Sequence, residues 1–282
     1  MQVYVDSEVG QLREVLLGSI KTFSLEFLPL TLTQRYCYYV IGPPRPLVLR
    51  EQQEAFIGIL EHYGVKTHWV SPRLDSPGQV NTRDVVAVIG NSLIVCSMKE
   101  PIRQHEPEAL EPLLAKLEGP PIRVDAGVIE GGDIFLDRET MYVGLSERTN
   151  PSGLGWLEAR FSDRFEILAI RLQPLFLHLD LVFGLVGHGL ALVYPPALQE
   201  SSLETLRRRY KLIEVTKAEQ FKLATNVLSI SPDTVISDKR QARVNGILRE
   251  QGLEVIELDY SEITKIGGAF RCSASPLVRD PL

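Results

Sequence analysis

The stretch Asp84-Val85-Val86-Ala87-Val88-Ile89-Gly90-Asn91-Ser92-Leu93-Ile94-Val95 reads as a polar opener, a β run, a two-residue turn and a second β run. Strand-forming residues on both sides of a Gly-Asn turn are the local signature of a hairpin. The same order recurs three times. Asp133 opens Ile134-Phe135-Leu136, which turns at Asp137-Arg138-Glu139 into Met141-Tyr142-Val143. Asp180 opens Leu181 to Val186, which turns at Gly187-His188-Gly189 into Leu190 to Val193. Asn226 opens Val227 to Ile230, which turns at Ser231-Pro232-Asp233 into Thr234 to Ser237. Asp133 follows Asp84 by 49 positions, Asp180 follows Asp133 by 47, and Asn226 follows Asp180 by 46. A period of that length marks a repeat architecture. Leu12 to Leu17 looks like the remains of one more unit.

Helical patterns fall between the hairpins. Glu51 to Tyr63, Glu106 to Leu117, Ser202 to Tyr210 and Asp238 to Gln251 have apolar residues at helical spacing, and Gly64 and Gly252 stand where C-caps belong. Strands such as Lys66 to Val70 and Glu254 to Leu258 follow. Each repeat is thus hairpin, helix, strand. Four or five of them closing on themselves make an α/β propeller, with the polar openers facing a common axis. Asp84, Asp133 and Asp180 crowded there repel one another, and stay ionised only if a metal or an organic cation sits among them.

The composition excludes several classes. The 282 residues are 44% hydrophobic and carry a net charge of −6, so a packed core is available and a basic nucleic-acid surface is not. The one dense basic run, Arg207-Arg208-Arg209, lies on a helical stretch and reads as a solvated face. Three cysteines (Cys37, Cys96 and Cys272) are too few for a disulfide scaffold or a cysteine-rich zinc site. The N-terminus has no signal-peptide pattern, and no apolar run suffices to span a bilayer. A cytoplasmic protein with reduced thiols is expected, with no nucleic-acid or membrane partner. A homodimer is admitted but not argued for.

Four short motifs could carry chemistry. Leu177-His178-Leu179-Asp180 offers an imidazole and a carboxylate two residues apart, on the same side if the segment is a strand. Ile129-Glu130-Gly131-Gly132-Asp133 offers two acids beside a backbone that lets a ligand come close, although it fits a tight acidic turn equally well. Arg148, in Ser146 to Pro151, and Arg103 sit at comparable places after successive hairpins, as a carboxylate clamp would. Arg83 neighbours Asp84 but is expected to face away. Finally, Gly267-Gly268-Ala269-Phe270-Arg271-Cys272 presents a cysteine that is either buried filler or a nucleophile.

In that order, Glu-Gly-Gly-Asp, Arg-Thr-Asn, His-Leu-Asp and Gly-Gly-x-x-Arg-Cys resemble the guanidine-modifying enzymes: arginine deiminase, dimethylarginine dimethylaminohydrolase and the amidinotransferases. The resemblance covers Asn81 to Leu277. It implies a single catalytic domain over 1–282 with the five-bladed α/β propeller of that superfamily, the pentein fold of pseudo-fivefold ββαβ repeats. It implies that Cys272 is the nucleophile, His178 the general acid and base, and Glu130 the acid that supports the histidine. Asp84 and Asp180 would bind the guanidinium, Arg148 the substrate's α-carboxylate, and Arg103, placed by spacing, its companion. No metal or cofactor is called for, and the partner is a small guanidino compound. The segment 19–46 is expected to form a lid.

Asp180 prefers nitrogens that carry hydrogens, a pattern similar to the deiminases and amidinotransferases, whereas the Glu-Gly-Gly-Asp and Arg-Thr-Asn motifs are more like the dimethylarginine hydrolases. The expected activity is therefore an arginine-deiminase-like hydrolysis. A dimethylarginine hydrolase, an amidinotransferase, a metal hydrolase using Asp133, His178 and Asp180, and a non-catalytic binding propeller are the alternatives. Gly78 stands where the family often places Asn or Asp, which puts free arginine in question.

Overall fold

A computed structural model of the chain describes residues 1–20, 42–74, 76, 78–187 and 189–282. Most of the expected lid, together with Cys37 and His188, lies outside the described residues. Among the described residues the fold is mixed α/β, with five small three-stranded sheets. Strand β1 (Leu12–Leu17) pairs in parallel with β2 (Lys66–Trp69), which follows helix α1 (Pro46–His62). The next sheet joins the antiparallel hairpin β3 (Val86–Ile89) and β4 (Ser92–Val95) to β5 (Ile122–Arg123), parallel to β4. Then come β6 (Ile134–Asp137), β7 (Thr140–Leu145), helix α2 (Pro151–Phe161) and β8 (Glu166–Arg171). They are followed by β9 (Phe183–Leu185), β10 (Leu190–Val193), helix α3 (Glu200–Arg207) and β11 (Lys211–Glu214). The last hairpin is β12 (Leu228–Ser231) and β13 (Thr234–Asp238), completed by helix α4 (Ala242–Glu250) and β14 (Glu254–Leu258). The fragmentary first unit is made whole by β15 (Ala274–Arg279), which runs antiparallel to β1 with Leu17 opposite Ala274. The ring is thus stitched shut by strands far apart in sequence.

Local chemistry explains where the elements depart from the sequence pattern. The stretch 106–117 is not one helix but a 3₁₀ turn, Glu106–Leu110, running into one α turn, Glu111–Leu114. Pro107 and Pro112 each lack the N–H that a continuous helix needs. Helix α4 starts only at Ala242, because Asp238 still belongs to β13 and its carboxylate accepts hydrogen bonds from the Arg240 backbone and guanidinium. Helix α2 has a signal the periodicity missed: the Asn150 side chain caps it by accepting from Gly153 N at 2.9 Å, and Pro151 starts it. The hairpin openers are helical turns rather than strand starts: Thr82–Val85, Gly131–Asp133 and Leu179–Leu181. His178 and Asp180 therefore do not alternate along a strand. His178 is extended and Asp180 lies within the turn that follows, so the two approach the site from different directions.

Apolar side chains fill the space between sheets and helices. Trp156, Leu157 and Phe161 of α2 pack with Ile134, Met141 and Val143. Phe270 stacks on Tyr260 with ring centres 4.2 Å apart, and both meet Phe56 of α1. Burying such a ring is worth about 1.5–3 kcal/mol. This aromatic trio anchors the turn that carries Cys272. Among the described residues no helix is long and apolar enough to cross a membrane.

Candidate active site

Cys272 lies in the turn that leads into β15 and is 2% exposed. Asn226, the opener of the last hairpin, grips it from both sides. Its Oδ1 accepts from the backbone N–H groups of Ala269 and Cys272, both at 3.1 Å, and its Nδ2 donates to Cys272 Sγ at 3.0 Å. The thiol lies 3.4 Å from Asp180 Oδ2. Gly268 makes the approach possible: a Cβ there would lie 2.7 Å from Cys272 Cβ and 2.4 Å from Asn81 Oδ1. Burial, then the charges of Asp180 and Asp84, push the thiol well above its ordinary pKa, against the Ala269 backbone and Asn226 hydrogen bonds. At neutral pH the group is a thiol.

His178, Glu130 and Asp84 form the other half of the site, all buried. His178 Nε2 and Glu130 Oε2 are 2.8 Å apart, and His178 Nδ1 is 3.6 Å from Asp84 Oδ1. Burial alone would lower the imidazole, but the charge of Asp84, the hydrogen bond to Glu130 and the charges of Asp133 and Glu130 raise it well above neutrality. Burial would likewise raise Glu130, and the bond from His178 with the charges of His178, Arg103 and Arg148 holds it below the usual carboxylate range. The pair is therefore an imidazolium carboxylate at neutral pH. Gly132 lets it close up, since a Cβ there would stand 2.9 Å from both Asp84 Oδ1 and His178 Cγ.

The predicted arginines both reach this half. Arg103 donates from Nη1 to Asp84 Oδ2 at 2.8 Å, and from Nε and Nη2 to Glu106 Oε2 at 3.0 and 2.8 Å. Five N–H donors minus those three leave one on each terminal nitrogen for a ligand. Arg148 Nη1 lies 3.5 Å from Glu130 Oε2, and its Nη2 3.7 Å from Glu100. Resident arginines thus answer the requirement for a cation among the acids, which the sequence assigned only to a metal or a bound ligand.

Three residues of the site were not singled out from sequence. Arg271 bridges Asp180 and Glu8, and Glu106 is a buried acid that holds Arg103. Asn226 was legible as a repeat opener, but its grip on Cys272 was not. Arg271 had one signal, its place directly before the cysteine, and its partner Glu8, 263 positions away, had none. Arg83 faces away from Asp84, as expected, and pairs with Glu8.

Asp133 is not in the site, although it opens a hairpin. Its Oδ1 accepts from Leu179 N at 2.8 Å and its Oδ2 from Ser146 Oγ at 2.6 Å, so it ties two repeats together. The metal alternative built on Asp133, His178 and Asp180 therefore loses its first ligand. Asp84, Glu130 and His178 are close enough for one atom of each to share an ion. Arg103 and Arg148 already stand on those carboxylates, and a second cation would be repelled.

The model of the family described as N,N dimethylarginine dimethylhydrolase, eukaryotic, matches residues 48–279. An uncharacterised protein of Bacillus subtilis (strain 168), YkgA, is 39% identical over 229 residues, spanning 81% of this chain and 80% of that one. Arginine deiminase of Bacillus cereus (strain B4264) is 31% identical over 256 residues, covering 72% of this chain and 62% of the relative. The match thus spans less than two thirds of the deiminase. Among solved structures, an amidinotransferase from Microseira wollei superposes with a TM-score of 0.82 at 21% identity, covering 99% of this chain and 98% of that one. A cysteine-to-serine mutant of dimethylarginine dimethylaminohydrolase from Pseudomonas aeruginosa, complexed with citrulline, gives 0.80 at 23%, covering 94% and 99%. The five sheets and these superpositions define the pentein fold. Within it, the chain belongs to the dimethylarginine dimethylaminohydrolase family, with arginine deiminases among its relatives.

Proposed function

We propose that the protein is a cysteine hydrolase of a guanidino compound, converting it to a ureido product and ammonia in the manner of arginine deiminase. One observation carries the reading: Asp84 Oδ1 and Asp180 Oδ1 are buried without a hydrogen-bond partner, in acids that adjoin His178 and Cys272. An orphaned buried carboxylate oxygen is costly unless a ligand supplies its donor. A guanidinium supplies N–H groups in a plane and the positive charge that lets Cys272 ionise.

The thiolate adds to the guanidinium carbon, forming a C–S bond. His178 passes its proton to the nitrogen that departs, the C–N bond breaks, and ammonia leaves. The amidino group is then held as a thioether cation. His178, now neutral, takes a proton from water as the water oxygen adds to the same carbon, and the C–S bond breaks to return the thiolate and a protonated urea, whose hydroxyl proton passes to solvent to free the ureido product. Arg148 and the spare N–H groups of Arg103 supply donors for an anionic far end of the substrate.

The test is incubation with arginine, methylated arginines, agmatine and guanidinoacids, reading ammonia, methylamines and ureido products, with and without glycine or lysine as acceptor. Ureido product and ammonia are expected, together with loss of turnover in Cys272→Ser and indifference to chelator. Transfer of the amidino group to an added amine would replace the hydrolase reading by an amidinotransferase. Chelator sensitivity with an active Cys272→Ser enzyme would overturn the cysteine mechanism.

A further inference from the structure

Arg271 is more fully engaged than a nucleophile's neighbour needs to be. All five of its N–H donors are directed at acceptors. Nε and Nη2 reach the two oxygens of Glu8 at 3.2 and 3.1 Å, and Nη2 also meets Ile134 O at 2.6 Å. Nη1 meets Gly132 O at 3.3 Å and Asp180 Oδ2 at 3.0 Å. The guanidinium lies over the Phe135 ring, 3.6 Å from its centre, and the residue is 2% exposed. It therefore ties the Glu-Gly-Gly-Asp motif, the His-Leu-Asp motif and the N-terminal segment to the residue before Cys272.

Its contact divides the work of Asp180. Oδ2 is taken by Arg271 and the thiol, and Oδ1 is left as the orphan. We infer that Arg271 is a positioning residue for Asp180: wedged between Glu8 and that carboxylate, it fixes Oδ2, keeps the acid charged, and leaves Oδ1 as the single acceptor presented to the guanidine. This deepens the guanidine reading and rests on it. The chain brings its own guanidinium to one side of the acid whose other side awaits the ligand's.

The charge role follows from what faces Asp180. Burial raises its pKa, Arg271 and then His178 draw it down, and Asp84 pushes it up. Without Arg271 the acid is left among Asp84, Cys272 and His178, with Arg83, itself paired with Glu8, as its remaining arginine, in a dry site, where buried carboxyls can titrate near or above neutrality. Asp180 would then have to lose a proton before it could accept from a cation.

The experiment measures the apparent binding constant of guanidinium ion from the change, of either sign, that it makes in the rate at which iodoacetamide alkylates Cys272, from pH 6 to 8.5, in wild type, Arg271→Met, Arg271→Gln and Arg271→Lys. The probe has no far end, so the outcome does not depend on which guanidine is the natural substrate. Asp133, raised to about 7 mainly by burial, titrates in every variant and cancels in the comparison. The binding constant should vary little with pH in wild type and Arg271→Lys. In Arg271→Gln and Arg271→Met it should weaken at least about tenfold at pH 6.5, as loss of a charged acceptor implies, and recover as pH rises. Either neutral variant suffices if the other fails to fold. Equal weakening at every pH, or none, overturns the role of Arg271 while leaving the guanidine reading intact. A wild-type alkylation rate indifferent to guanidinium at every pH overturns the guanidine reading itself.

Discussion

Replacing Asn226 by alanine tests whether the hairpin opener, rather than a base, sets the acidity of Cys272. The side chain is fully buried and makes four bonds at the site: to the Asp180 carbonyl, to Cys272 Sγ, and from the N–H groups of Ala269 and Cys272. The Asp180 carbonyl keeps Thr225 Oγ1 as a second donor, so two N–H groups are left orphaned. At about 1–3 kcal/mol each, less what water entering the vacancy restores, the fold should lose about 3 kcal/mol. The thiolate loses an N–H donor as well. A hydrogen bond to a charged group is worth about 1.5–3 kcal/mol, which raises the thiol pKa by about one to two units at 1.36 kcal/mol per unit. The assay is the pH dependence of Cys272 alkylation, followed on its own peptide by mass spectrometry and paired with urea unfolding. Below the thiol pKa, Asn226→Ala should react about 10- to 100-fold more slowly than wild type. Asn226→Asp should be slower still, because it replaces the donor by a negative charge. An unchanged pH profile in a folded Asn226→Ala protein would refute the argument, since the donor to sulfur would then contribute nothing.

Glu8 should couple the fold to acid. Burial alone would raise its pKa, but Arg271 and Arg83 hold it at about 2, against an ordinary value of 4.5. A depressed carboxyl stabilises the fold above its unfolded pKa and stops doing so as pH falls toward the folded one. The stability difference between wild type and Glu8→Gln should therefore shrink by about 3 kcal/mol as pH is lowered through 4.5 toward 2, read by urea unfolding at each pH. Gly132→Ala should cost activity more than stability, at least about tenfold in kcat, because its Cβ would displace Asp84 Oδ1 or His178. Turnover and melting temperature measured together check this, and unchanged kcat would count against the site.

The repeat was legible because it is written in local chemistry. Gly90-Asn91 and Arg138-Glu139 turn their hairpins through residues with positive φ at Gly90 and Arg138, and Gly252 ends α4 at φ +89°. Helix boundaries were less legible where two signals compete, as at Pro107 and Pro112 inside an otherwise helical pattern. Cys272, His178, Glu130, Asp84 and Asp180 could be named because each sits in a short motif, and the fold brings them together. What the motifs could not carry is the charge pairing between distant segments. That Asp180 shares Arg271 with Glu8, or that Arg103 lies between Asp84 and Glu106, depends on side-chain directions that only ring closure fixes. The same holds for Asp133, whose place in the repeat matches that of Asp84 but whose two oxygens are used up in structural bonds.

The pairing of β15 with β1 makes the surroundings of Cys272 a property of the closed ring. Cys272 stands two residues before β15, and its partners Asn226 and Asp180 belong to other repeats. Contacts between segments so far apart in sequence are slow to form. Without that pairing the cysteine is an ordinary thiol in an open chain, with neither a donor to its sulfur nor acids beside it. Ring closure works as a mute: burial and the charges of Asp180 and Asp84 raise the thiol's pKa, so the residue is quieter in the finished fold than in the unfinished chain.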